Sequence, residues 1–195
     1  MRIFSSGQKK EEAELTLRRS PGKRSFDLYA VLAKALLLLL LVHGAVGGFL
    51  SAYEISYNQG ICMLLIFVFS LFLCAIYETG KKWLINLSNL FILIFYFYVA
   101  FTNYWVINSG YYAIMNKILE TARSYLNITN GTEYDLAVEG EYTTVTVFVL
   151  FLSMVGCILF NIWTQNKASF KRILIITLFP YFIPLYFEKT PSLLY

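Results

Sequence analysis

The chain contains little of what catalytic and metal-binding sites are built from. It has three cysteines and one histidine in 195 residues, and 14% of its residues are charged. No cysteine or histidine cluster has the spacing of a zinc site, no glycine-rich phosphate-binding loop occurs, and no two carboxylates are placed for acid–base chemistry. We therefore expect a protein that is not an enzyme, with no catalytic, cofactor-binding or metal-binding residues and no cofactor.

The few reactive or ionisable side chains lie inside apolar runs. Cys62, Cys74 and Cys157 have hydrophobic neighbours, where thiols behave as small apolar groups, so neither a disulfide framework nor a nucleophile is indicated. His43 cannot hold a metal alone and is expected to pack or to make one interhelical hydrogen bond. Lys34 lies about two turns into the first run, so its stem is expected to carry the ammonium to the membrane interface. We expect no buried acid and no paired charges in the spans.

The chain is rich in long hydrophobic runs. Hydrophobic residues make up 58% of it. A helix rises about 1.5 Å per residue and the hydrocarbon core is about 30 Å thick, so roughly 20 apolar residues cross it once. Apolar runs, the last one short, occupy residues 28–50, 61–77, 83–107, 142–163 and 173–187. The predicted fold is an all-α polytopic membrane helical bundle with about five transmembrane helices.

The connections between these runs alternate in charge, which predicts the orientation because cytoplasmic loops collect lysine and arginine. Seven basic residues precede the first run, and the second and fourth connections carry Lys81, Lys82, Lys167, Lys171 and Arg172. The remaining connections and the chain end hold three basic residues against seven acidic ones. We expect a multi-pass protein of the cell membrane with a cytoplasmic N-terminus and residues 108–141 extracytoplasmic.

The net charge of +4 is therefore the sum of two opposed faces, which argues against nucleic acid as a partner. The expected partners are the lipid bilayer and, for the basic tail, anionic inner-leaflet lipid. Four parts are predicted: a basic, largely disordered cytoplasmic tail (1–27), the first three transmembrane helices (28–107), an outer amphipathic helix with an acidic loop (108–141), and the last two transmembrane helices with an outer C-terminal end (142–195). The short fifth run and the abrupt end suggest a truncated protein.

The long connection between the third and fourth runs has two predicted pieces. Apolar residues recur at helical spacing over 111–125, with ion pairs Lys117–Glu120 and Glu120–Arg123 on the polar side. This helix either sinks into the headgroup boundary or covers the outer mouth of the bundle. The Asn130-Gly131 turn signal predicts a small hairpin after it. Asn127 and Asn130 also match glycosylation acceptors.

Small, polar and proline residues in the predicted helices mark candidate packing and kink positions. A G-x-x-x-G spacing permits close backbone approach, and polar or small residues three apart share one helix face. Prolines four apart are expected to kink or break the fifth helix, because each removes a backbone hydrogen bond. The candidates are Gly44, Gly48, Asn86, Asn89, Ser153 and Gly156 for packing, and Pro180 and Pro184 for the kink.

From residue 108 onward the order of residues carries a resemblance. It rests on a Gly110-Tyr-Tyr helix start continuing through Ile114, Asn116 and Leu119, an acidic loop, a span over 143–152, a basic turn over 167–172, and the ending Phe179-Pro…Pro184-Leu-Tyr-Phe…Pro191-Ser. These features resemble the N-terminal multipass region of bacterial, clostridial-type transglutaminase-like membrane proteins. In that family further spans and an extracytoplasmic papain-like domain with a Cys-His-Asp triad would follow. This chain has no counterpart of the triad, so the resemblance implies an anchoring or scaffolding part, not catalysis.

Two functions of different classes remain open. The first is a non-catalytic integral membrane module that anchors or scaffolds an extracytoplasmic transglutaminase-like or envelope-associated partner, either a protein domain or another membrane protein. The alternative is a small transporter or permease-like membrane subunit. It is motivated by the polar stripe of Asn86 and Asn89 and by the proline-broken fifth helix, and it predicts a water-accessible path between these helices.

Overall fold

The computed structural model describes residues 26–128, 132–164 and 170–188. In these three stretches the chain forms six α-helices: α1 (Leu28–Ala52), α2 (Gln59–Glu78), α3 (Lys82–Thr102), α4 (Tyr104–Leu126), α5 (Glu141–Thr164) and α6 (Phe170–Tyr186). The expected all-α fold is confirmed.

Four of the helices in the described stretches are long and apolar enough to cross a membrane. They are α1, α2, α3 and α5, with 20 to 25 residues each and mean hydropathies of 2.0 to 2.6 over their most apolar windows. α6 has 17 residues, so it rises only about 26 Å against a hydrocarbon core of about 30 Å. The chain is a multi-pass helical membrane protein, in which α6 is shorter than a full span.

Polar side chains determine where the first two helices begin. The Asp27 carboxylate accepts hydrogen bonds from the amides of Tyr29 and Ala30 at 3.0 and 3.2 Å. The Asn58 side-chain oxygen accepts from the amide of Ile61 at 3.1 Å. Each cap satisfies donors that the first turn of a helix leaves without a backbone partner.

The third helix is shorter than the sequence indicates. The predicted span continues to residue 107, but α3 ends at Thr102 and α4 begins at Tyr104. The Thr102 hydroxyl donates to the carbonyl of Tyr98 at 2.9 Å, and the Asn103 side-chain amide donates to the carbonyl of Val99 at 3.2 Å. These local bonds compete with the backbone ladder, so the chain changes direction inside an apolar run. The predicted boundary at 107/108 therefore falls within α4.

The predicted hairpin is wrong where the structure describes it. Leu126 is the last residue of α4, and Asn127 ends the helix in the left-handed region with φ of 54°. Residues 132–140 contain no strand. The Asn130-Gly131 turn lies outside the described residues.

The helices other than α4 run up and down between two ends of the bundle. α1, α3 and α6 run towards the end that holds Tyr53, Asn58, Glu141 and Tyr186, and α2 and α5 run back from it. We call this end the capped end and the opposite one the open end. α1, α2 and α5 share the core, whose fully buried side chains include Leu38, Leu73 and Val145.

α4 covers the capped end. Its Gly110 lies against the backbone of Thr144 in α5. Ile114 lines a cavity of about 240 Å³ together with Leu50 of α1. The Tyr125 ring lies 6.1 Å from the ring of Tyr186 in α6. Of the two expected positions for this helix, the contacts agree with a cover over the bundle.

α6 continues through both of its prolines. Pro180 and Pro184 lie inside the helix, so the expected break is wrong, whereas the kink stays a prediction. The hydroxyl of Tyr181, the residue after the first proline, donates to the carbonyl of Gly44 in α1. A neighbouring helix thus supports α6 where its own hydrogen-bond ladder is interrupted.

Candidate functional site

The capped end begins with a tight turn after α1. Glu54 has φ of 57°, a conformation that is unfavourable for residues other than glycine. The amide of Ile55 donates to the carbonyl of Leu50 at 3.0 Å, which closes the helix in the manner of a left-handed C-cap. This turn places Glu54 in clefts that Lys117 of α4 also lines.

The segment before α5 is docked on α4 by polar and aromatic contacts. The side chain of Asn116 donates to the carbonyl of Tyr134 and accepts from its amide, both at 2.9 Å. The rings of Tyr112 and Tyr134 stack with centroids 4.8 Å apart and an angle of 8° between planes. The amide of Val138 donates to the hydroxyl of Ser109 at 3.0 Å. An irregular segment of backbone is therefore held in a defined position on a helix.

Three adjacent clefts open at the capped end, with volumes of about 280, 240 and 370 Å³. Lys117 lines all three. We call them the acidic clefts, because the charged residues that share them with this lysine are Glu54, Glu120, Glu133 and Glu141. One ammonium group faces four carboxylates, so the surface favours a cationic partner over an anionic one.

The charges on α4 pair differently from the prediction. Lys117 and Glu120 form the expected ion pair, with Nζ and Oε2 2.9 Å apart. Their hydrogen bond raises the pKa of Lys117 and lowers the pKa of Glu120. Arg123 instead donates to the carbonyl of Thr132, so the expected Glu120–Arg123 pair does not form, and the arginine ties the acidic segment to the helix.

Tyr53 lines the first of the acidic clefts. The residue is 4% exposed, and its hydroxyl has no hydrogen-bond partner among the described residues. Burial raises the pKa of this tyrosine. Its ring packs against Phe49 with centroids 5.2 Å apart, so an apolar contact holds a polar atom in the wall of the cleft.

A second polar feature, the α2–α5 seam, runs along the interface of these two helices. The Ser70 hydroxyl and the Cys157 sulfur are 3.5 Å apart, and the Cys74 sulfur donates to the Asn161 side-chain oxygen at 3.9 Å. Ser153 is also buried, and its hydroxyl has no partner in the part of the chain that the structure describes. Small and polar side chains let two helices approach closely in a membrane, so we interpret the seam as a packing surface.

At the open end, Lys34 of α1 pairs with Glu78 of α2. The lysine Nζ lies 2.6 Å from Oε2 of the glutamate, and the two side chains are 48% and 17% exposed. The sequence predicts a lysine extending to the interface without a charged partner. The prediction of no paired charges in the spans is therefore wrong, because the last turn of α2 brings an acid beside α1.

The glycine candidates differ in what an added methyl group would meet. A methyl group added at Gly48 would lie 2.7 Å from ring atoms of Tyr181, whereas one added at Gly44 would meet nothing within 4 Å. Gly156 of α5 faces Val42 of α1, with 3.4 Å between the position of an added methyl and the nearest valine carbon. The G-x-x-x-G motif thus supplies one steric contact, at Gly48, and one hydrogen-bond acceptor, the carbonyl of Gly44.

The two features that motivate a transport path are not in contact. Asn89 exchanges hydrogen bonds with the hydroxyl of Tyr77 at 3.0 and 3.2 Å, and Asn86 is exposed. Pro180 and Pro184 lie on α6, which packs on α1 and α5 and makes no contact with α3 within the described residues.

The acidic clefts were not foreseen from the sequence. Their carboxylates come from the turn after α1, from α4, from the segment before α5 and from the first residue of α5. Residues 54 and 141 are far apart in the chain, and no spacing rule joins them. The excess of acid on one side of the bundle was the available signal, and it does not indicate that Lys117 lies at the centre.

Comparison with known proteins identifies no relative of this chain. No protein-family model matches the chain, and neither the curated proteins nor the solved structures give a match. Among the described residues, no group of three or more His, Cys, Asp and Glu side chains is arranged to hold a metal ion. The arrangement offers a charged surface at one end and packed helices below it, and the chain is identified as a multi-pass helical membrane protein.

Proposed function

We propose that this protein is a non-catalytic membrane module whose capped end binds an envelope-associated protein on the extracytoplasmic side. The distribution of lysine and arginine supports an extracytoplasmic position for the capped end. By resemblance alone, the partner would be a transglutaminase-like protein. The partner surface that contacts the clefts would be basic, because four carboxylates face a single ammonium group there.

The observation that carries this proposal is the assembly of the acidic clefts from separate segments. Hydrogen bonds of Asn116 with Tyr134, and of Ser109 with Val138, hold the acidic segment on α4. A preordered surface loses less conformational entropy on binding than a loose loop. Exposed aromatic and aliphatic side chains at the same end, among them Leu136 and Tyr142, supply apolar contact area.

Site-specific photocrosslinking in intact cells tests the proposal. A photoreactive residue would replace Leu136, which lines an acidic cleft and is 39% exposed. The matched control places the same residue at Trp83, which is 65% exposed at the open end. We expect a discrete protein adduct from position 136 alone, reduced at least about fivefold when Glu54, Glu133 and Glu141 are changed to glutamine.

Four results bear on the proposal in different ways. A basic envelope protein in the adduct supports a scaffolding role, and a protein with a papain-like triad domain supports the transglutaminase link as well. No protein adduct at position 136, or one that the glutamine substitutions leave unchanged, would contradict the docking role of the capped end.

A further inference from the structure

A lateral crevice lies between α3 and the pair formed by α2 and α5. It has a volume of about 420 Å³. Phenylalanines dominate its walls, with Phe72 on α2, Phe91 and Phe95 on α3, and Phe151 on α5. Phe72, Phe91 and Phe95 are 48% to 66% exposed, so the crevice is open at the protein surface.

The crevice exists because α3 is joined to its neighbours at few points. At the open end, the hydroxyl of Tyr77 and the side chain of Asn89 bridge α2 and α3. Further along, the ring of Tyr96 stacks on Phe151 of α5 with centroids 4.1 Å apart. Ile92 is the one buried residue of α3. The helix stands away from α5 and leaves a gap bridged by aromatic rings.

The depth of the crevice places it in the hydrocarbon region. Its lining on α5 extends from Val147 to Ile158, six residues from each end of that helix, which corresponds to about 9 Å. α3 and α5 are both long enough to span a membrane. The medium that meets the crevice is therefore lipid chain, not headgroup or water.

The size and chemistry of the crevice select the occupant. Water needs two to four polar partners, and the walls are apolar. A helix with its side chains is about 10 Å wide. The rings of Tyr96 and Phe151 stack with centroids 4.1 Å apart, so α3 and α5 are too close there for a helix of a second protein to enter between them. A flexible hydrocarbon chain fits both the volume and the walls.

We propose that this crevice binds one acyl chain of a bilayer phospholipid as a specific, slowly exchanging ligand. The chain lies between the phenylalanines of α2 and α3 and contacts Met154 of α5. It fills the space that remains between α3 and α5 beside the Tyr96–Phe151 stack. The bound lipid thereby sets the position of α3, and through Asn103 the start of α4 over the capped end.

Native mass spectrometry of purified protein tests the proposal. We expect about one phospholipid per chain to remain after detergent washing has removed the surrounding lipid. Met154→Trp fills the crevice from α5 and is expected to lower that occupancy at least about tenfold. Leu159→Trp is the matched control, because residue 159 lies on the same helix, is 41% exposed and lies outside the crevice.

Several results would overturn the proposal. They are a wild-type protein that retains no lipid, equal retention in Met154→Trp, or equal loss in Leu159→Trp. Retention of a second protein chain in place of lipid would also overturn it, because the crevice would then belong to a protein interface.

A second measurement needs no variant. The wild-type protein in vesicles of phosphatidylcholine with a diazirine in one acyl chain would be irradiated, and the adducts mapped by peptide sequencing. We expect adducts concentrated on crevice residues such as Phe95 and Met154. An even spread that includes exposed residues such as Leu159 and Phe182 would show ordinary boundary lipid and reject a specific site.

Discussion

Gly48 is the residue at which side-chain size determines how α6 packs on α1. A methyl group there would lie 2.7 Å from ring atoms of Tyr181, and the ring could only move by breaking its hydrogen bond to Gly44. We expect Gly48→Ala to destabilise the protein by about 1–3 kcal/mol, the usual cost of overpacking. Thermal unfolding in detergent measures this.

Gly44→Ala is the matched control for that substitution. Nothing lies within 4 Å of the added methyl, and alanine is the better helix former, so we expect no loss of stability and a gain of up to about 1 kcal/mol. The second variant Gly48→Ala/Tyr181→Phe removes the atom nearest to the new methyl and should recover part of the loss. Equal destabilisation by both glycine substitutions would contradict the steric account.

Lys117 gives a prediction about charge at the capped end. Its hydrogen bond with Glu120 raises the pKa of the lysine and lowers that of the glutamate. The raised pKa of Lys117 contributes stability that is fully present below the pKa of the lysine in the unfolded chain. This stability is lost as the pH rises through the pKa of the lysine in the folded protein. The lowered pKa of Glu120 contributes stability that is present above the pKa of the glutamate in the unfolded chain. This stability is lost as the pH falls through the pKa of the glutamate in the folded protein. The ion pair therefore stabilises the fold across the neutral pH range. Its contribution is about 0.3–0.5 kcal/mol, because both side chains are exposed.

Glu120→Gln should lower the pKa of Lys117 towards the ordinary lysine value. The decrease should be partial, because Glu141 and Glu54 also raise this pKa. NMR titration of ¹³C-methylated lysine measures the change. Glu139→Gln serves as the control, since Glu139 is exposed and lies outside the acidic clefts. An unchanged Lys117 pKa in Glu120→Gln would show that the ion pair is not formed in solution.

At the scale of elements, α4 depends on its close approach to α5. A methyl group at Gly110 would collide with the carbonyl of Thr144 and would lie 2.8 Å from Cβ of Phe148. Backbone cannot rotate away as a side-chain tip can, so the helices must separate. We expect Gly110→Ala to cost about 1–3 kcal/mol, although alanine favours a helix.

Hydrogen exchange of residues 104–126 shows whether α4 separates from α5. Protection there should fall in Gly110→Ala while α1 and α2 keep theirs. Ser124→Ala is the control, because residue 124 is exposed on the same helix. If α4 kept full protection in Gly110→Ala, the described crossing of α4 and α5 would be wrong.

The ion pair between α1 and α2 also belongs to this scale. Lys34→Met leaves the 17% exposed side chain of Glu78 without its cation. Since the lysine is half exposed, we expect a loss of about 1–2 kcal/mol, below that of a fully buried pair. A double-mutant cycle with Glu78→Gln measures the coupling, and additive losses would mean that the two charges act independently.

For the whole molecule, periodicity and charge predict where the helices lie better than they predict which side chains meet between helices. The ends of α1, α2 and α5 agree with the apolar runs to within two residues. The predicted end of α3 was wrong because Thr102 and Asn103, two polar residues inside the apolar run 83–107, form local hydrogen bonds. The acidic clefts and the Lys34–Glu78 pair could not be foreseen, because each joins segments that meet only after the helices pack.

The orientation of the molecule in the membrane leads to the last prediction. The basic residues at the open end, Lys81 and Lys82, favour the cytoplasm for that end. A cysteine replacing exposed Ser124 should then react with a membrane-impermeant thiol reagent in intact cells, and one replacing Thr79 should react only after lysis. The native Cys62, Cys74 and Cys157 are buried and should give little background. If Thr79→Cys reacted in intact cells and Ser124→Cys did not, the protein would have the opposite orientation. The acidic clefts could then not contact an extracytoplasmic partner.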